Sequence, residues 1–164
     1  MSNDLILIGP LLGAAVVAIL AVLADLVRPG RTAPVLVVSL GGLAVIAWLT
    51  WQTGTVPARA FGGAYSVDAL TTYLDLLFVA ISALTLLFAP DYLAPRGLPL
   101  GEFAATLLFA LTGAMLIAAS SDLLLLFLGL ELMVLPGYML AGFHKNDGYS
   151  TEGAIKYFLL GSFS

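Results

Sequence analysis

The sequence contains no cysteine and a single histidine, His144. Without thiols there are no disulfides, no thiolate zinc sites and no cysteine-ligated iron–sulfur clusters. One histidine is too few for a multi-histidine metal or haem site within the chain. No glycine loop of the phosphate-cradling kind is present. Charge is scarce too: 10% of the residues are charged, against about 25% in a soluble domain. Six basic residues, scattered without a run, leave nucleic-acid binding no electrostatic basis. What remains is apolar. Of 164 residues 61% are hydrophobic, and mean hydropathy is +1.08. Such a chain belongs in lipid. Its net charge of -4 says little, because acidic residues contribute weakly to membrane topology. The amino terminus, MSND, lacks the basic start of a secretory signal, so the first apolar run is expected to be a retained membrane helix.

The expected fold class is all-α, a polytopic transmembrane bundle of about five complete membrane helices plus a truncated sixth. Its one membrane domain covers 1–164, with helices roughly at 4–27, 34–51, 68–89, 102–119, 122–143 and 151–164. Leu5 to Ala24 is an uncharged run of about twenty residues, enough for one crossing. Gly9 and Gly13 form a small-xxx-small pair, weakened by Pro10 between them. Trp48 and Trp51 close the second span as interfacial aromatics do. Residues 52–67 are expected to be the longest loop, broken by Pro57, Gly62 and Gly63. Asp68 opens the third span, and Ser120, Ser121 and Asp122 supply capping groups for the fifth. Ser150 or Thr151 would cap the sixth, which reaches only about 21 Å at 1.5 Å per residue. The chain is therefore expected to be an amino-terminal part of a longer protein, or a truncated gene. With the amino terminus outside, Arg28, Arg31, Arg96 and Lys145 fall on the cytoplasmic side and Arg59 outside.

The stretch Asp122–Phe143 is long enough to cross a bilayer and holds one internal charge, Glu131. It lies about nine residues in, roughly 14 Å, near the middle of a core about 30 Å thick. A charge there costs at least about 3 kcal/mol. Such an acid is read as a proton-relay residue; the blander reading is a structural carboxylate bonded to another helix. Pro136 frees the carbonyl of Leu132, and Gly129 and Gly137 permit close helix approach. Lys156 is the second candidate, with Glu152 at i−4 offering an ordinary intrahelical pair. Asp75 is the weaker candidate, expected near the interface or bonded to a neighbouring helix. His144 reads as a turn residue, and Phe127, Tyr138 and Phe143 as packing.

The run FLGLELMVLPGYMLAGF, followed by STEGAIKYFLLGSFS, resembles subunit N of the proton-pumping NADH:quinone oxidoreductase, respiratory complex I. A glutamate stands five residues before a proline in the fifth span, and an E-x-x-x-K-Y-F-x-x-G-S run opens the sixth. Motif-level likeness covers about the last forty residues. The resemblance implies an antiporter-like membrane subunit, built from inverted repeats, that couples quinone reduction to proton pumping. It maps the family's relay glutamate onto Glu131 and its relay lysine onto Lys156. It implies no redox site or cofactor here: NADH, FMN, iron–sulfur clusters and quinone would be handled by other subunits. Expected partners are other membrane subunits of complex I and the lipid bilayer, in the bacterial inner membrane. The alternatives are a subunit of a multi-subunit cation/proton antiporter and a non-catalytic packing subunit.

Overall fold

The computed structural model describes residues 2–163. Its helices are α1 (Ser2–Leu7), α2 (Gly9–Val27), α3 (Thr32–Thr53), α4 (Ala69–Leu93), α5 (Leu100–Ala119), α6 (Leu123–Ala141) and α7 (Gly148–Ser162). Five, α2 to α6, are long and apolar enough to cross a membrane. Apolar side chains cover both the inward and the outward faces, as lipid permits and water does not.

Small residues decide how closely the helices approach. The inner face of α2 is Ala14, Ala18 and Ala21, all fully buried. Gly42 of α3 leaves room only for Val17 of α2, and Gly101 of α5 abuts Asp25 of α2. On α5, a side chain at Gly113 would strike the backbone of Leu132 and Met133 on α6. Gly129 of α6 faces the carbonyl of Gly113 and Ile117 in return. Backbones meeting this closely gain dispersion contacts, the force that remains where lipid is as apolar as leucine. Helix α5 is accordingly central, with half of its membrane window buried, against 11% for α6. Its buried hydroxyls are turned inward: Thr106 donates to the carbonyl of Glu102 at 2.7 Å and Thr112 to that of Leu108 at 2.9 Å.

Where a plain loop was expected over 52–67, the chain forms a hairpin. Strand β1 (Ala58–Ala60) pairs antiparallel with β2 (Tyr65–Val67) around a tight turn at Phe61–Gly63. Phe61, Gly62 and Gly63 all have positive φ, of 52°, 67° and 99°. Two glycines make that reversal feasible. The hairpin docks on the end of α5: Tyr65 bridges to Ser120, and the Ser121 N–H donates to the Ala64 carbonyl at 2.7 Å. It closes one end of the bundle, hereafter the hairpin end. The turns at the other end carry Arg28, Arg31, Arg96 and Lys145.

The expected helix 4–27 is broken at Ile8 into α1 and α2, and two helix limits move by three residues or more from the sequence reading. Helix α4 continues through Pro90 to Leu93, and Gly97 at φ 64° ends it, with the Leu98 N–H returning to the Leu93 carbonyl. Helix α7 starts at Gly148, because Asp147 rather than Ser150 or Thr151 accepts the capping N–H, from Tyr149. The Ser150 hydroxyl instead donates to the Ala141 carbonyl, tying α7 to α6.

Candidate functional site

Glu131 sits eight residues into α6, roughly 12 Å from the hairpin end. Asp122 starts this helix by accepting the Leu124 N–H at 2.7 Å. The face toward α5 is Gly129, Leu132–Met133 and the buried Pro136. Glu131 is two residues, about 200° of helical turn, from Gly129, and so points away from α5. It is exposed. Its stripe is that of Tyr138, seven residues on, and α7 covers that stripe at Tyr138 through edge-on contacts with Tyr157 and Phe158. The same stripe is uncovered at Glu131.

Lys156 is exposed on α7 and paired with Glu152, as the i−4 spacing foresaw. An exposed pair of this kind contributes about 0.3–0.5 kcal/mol. Ala154 lies against Gly142 and Tyr157 against Tyr138, so Lys156 is level with Met139 and Leu140. It is therefore roughly 12 Å along the axis from Glu131, counting eight residues at 1.5 Å. The two predicted residues share one pair of helices but do not touch. Because that is only the axial part of their separation, at an effective dielectric of about 20 two unit charges interact by no more than about 1.4 kcal/mol, a tenfold ceiling on any equilibrium shift. That is enough to bias a proton transfer, not to dictate it.

The structure places the third candidate differently from its interfacial reading. Asp75 is 4% exposed, on the inner face of α4 with Thr71, Val79 and Ser82. Tyr65 of the hairpin is buried nearby. Burial first, and then the Asp75 charge, push its phenol above the ordinary value of 10.0. At the helix start Asp68 accepts the Thr71 N–H at 2.8 Å. That bond holds its carboxyl below the ordinary value of 3.8. Sequence reasoning underrated Asp75 because α4 is apolar all round, so periodicity could not tell its inner face from its lipid face. The 71–75–82 spacing of small polar residues was the available signal.

His144 is exposed in the turn after α6. Phe143 packs edge-on to Phe103 at 6.0 Å between ring centres. Beside it an apolar cavity of about 560 Å³ lies between α2, α5, α6 and α7. Its mouth carries the exposed Lys145–Glu102 pair at 3.0 Å. Among the described residues no group of three or more His, Asp or Glu gathers as a metal centre would require.

Five membrane-length helices, tight glycine crossings and a mid-helix acid define a multi-pass membrane protein. The family described as NADH:quinone oxidoreductase/Mrp antiporter matches residues 120–164, the segment that holds Glu131 and Lys156. NADH-quinone oxidoreductase subunit N of Leptospira biflexa is 34% identical over 99% of this chain and 35% of its own length. Subunit N of Thiobacillus denitrificans is 38% identical over 90% of this chain and 31% of its own. Among solved structures, respiratory complex I from Thermus thermophilus with bound aureothin contains a chain that superposes with a TM-score of 0.74. That chain is 31% identical, over 94% of this chain and 33% of its own length. The chain belongs to the subunit N family of NADH-quinone oxidoreductases. It spans about a third of the length of these relatives.

Proposed function

We propose that this chain is part of a proton-translocating membrane subunit of an NADH-quinone oxidoreductase, with Glu131 and Lys156 in its proton relay. One observation carries the reading: a lone acid at the middle of a 19-residue apolar helix, inside the family-matched segment. An acid at that depth is costly unless it faces other protein or water, and residues that bear such a cost mark ion pathways. Glu131 would gain and lose the proton. The charge on Lys156, about 12 Å along the axis, would bias that equilibrium by no more than the tenfold ceiling given above. The chain would do no redox chemistry; NADH, FMN, iron–sulfur clusters and quinone would belong to other subunits, with which it would assemble. Its membrane would be the bacterial inner membrane, with the hairpin end outside.

The test is Glu131→Gln in the full-length subunit within the assembled complex. Vesicles should show fewer protons moved per electron while NADH oxidation by detached electron acceptors stays intact. An unchanged proton-to-electron ratio overturns the role. The family description also names the Mrp antiporter, which favours a second reading as a cation/proton antiporter subunit. That reading expects sodium-driven pH changes in vesicles without NADH.

A further inference from the structure

Asp75 is buried on the second turn of α4, and its Oδ1 has no hydrogen-bond partner. Thr50 on α3 is 2% exposed, and its Oγ1 also lacks a partner. Helical threonines here satisfy themselves on the carbonyl four residues back, as Thr72, Thr85, Thr106 and Thr112 do. Thr50 does not. The two orphans are level. Gly54, just past α3, abuts the Thr72 side chain, and α3 and α4 run antiparallel. One turn back along α3 and one turn forward along α4 sets Thr50 opposite Asp75 and Leu76. A buried polar atom without a partner costs about 1–3 kcal/mol, so two at one level require a reason.

No counter-charge supplies it. Among the described residues, the buried faces of α2, α3, α5 and α6 carry no Lys, Arg, His, Asp or Glu. On α4 itself the nearest other acid is Asp68, two turns away at the exposed cap. The hairpin adds two titratable groups, the buried Tyr65 and Arg59, whose side chain is exposed on the outer face of β1. A hard metal ion takes about six oxygen ligands, and the two orphan oxygens with one phenol fall short. A proton needs only one oxygen to hold it and one to accept from it.

We propose that Asp75 is a proton-holding site, closed off from the aqueous phase by the hairpin Ala58–Val67, and that the now unpartnered Thr50 hydroxyl becomes its hydrogen-bond partner when the carboxyl takes up the proton. The step is acid–base alone. An O–H bond forms on a carboxyl oxygen as a hydronium gives up its proton, and breaks as the proton returns to water; no electrons move. Asp75 lies roughly 9 Å inside the hairpin end, six residues into α4. At that depth it would load protons between the Glu131 relay and the hairpin-side water, a role that rests on the proposed function. The holding site itself does not.

The experiment is infrared difference spectroscopy on the full-length subunit in its complex, in vesicles, after a pH jump on the hairpin side. One carboxylic-acid carbonyl band should be lost in Asp75→Asn and shifted in Thr50→Val, and should respond to the jump. No band assignable to Asp75, or a band indifferent to the jump, overturns the proposal. Should Asp75→Asn fail to assemble, carbon-13 aspartate labelling of the wild type with the Thr50→Val shift makes the same assignment. If Glu131→Gln leaves pumping unchanged while the Asp75 band still answers the jump, the relay reading falls and the holding site stands.

Discussion

Three acids show how one residue type takes three roles by position. Asp68 faces water and spends its carboxylate on an N–H of the first turn of α4. Glu131 stands at mid-helix on an uncovered stripe, and Asp75 is enclosed. Asp68 yields a prediction with a definite sign. Its folded-state carboxyl titrates below the unfolded one, because the ionised form accepts the Thr71 N–H. Its contribution is complete above the unfolded value of about 3.9 and is lost as pH falls through the folded value. Asp68→Ala should therefore lower the unfolding temperature in detergent at neutral pH. The gap to wild type should narrow as pH falls below that unfolded value and on through the lower folded one. A gap that stays constant to lower pH would refute the cap's electrostatic part.

At the scale of elements, the glycines of α5 and α6 matter more than their hydrophobic residues, which are interchangeable in lipid. Gly113→Ala sets a Cβ against the backbone of Leu132 and Met133, which cannot rotate away. Overpacking of this kind costs about 1–3 kcal/mol, to be read as a fall in thermal stability of the purified subunit. Gly41 is the control: a Cβ there meets nothing within 4 Å, so Gly41→Ala should gain about 0.5–1 kcal/mol from helix propensity. The reverse ranking would mean that α5 and α6 do not cross at these glycines. Hydropathy and capping residues made the membrane helices and the Asp68 and Asp122 starts legible. The hairpin was not, because three-residue strands carry too short a pattern and gain their order from docking on Ser120 and Ser121. The Asp147 cap was missed because Ser150 and Thr151 are equally good capping types. Only the Ser150 bond to the Ala141 carbonyl shows why they are used otherwise.

For the molecule as a whole, the fold puts Arg59 at one end and Arg28, Arg31, Arg96 and Lys145 at the other. An asymmetry of four basic residues to one in short turns orients a bundle by the positive-inside rule. Single cysteines at Arg59 and at Arg96, in a chain that has none of its own, should react with an impermeant maleimide from opposite faces of the membrane. In intact cells Arg59→Cys should be labelled and Arg96→Cys should not; the opposite result would invert the proposed orientation.

Composition alone settled that this chain lives in lipid, because burying backbone in helices and presenting apolar side chains everywhere leaves no other solvent. Residue order also marked Glu131, since one acid in an apolar run is conspicuous by position. What α4 does with Asp75 was decided only by tertiary structure. A helix apolar on every side has no intrinsic inside, so which of its residues meets protein depends on where α3, α5 and the hairpin settle against it.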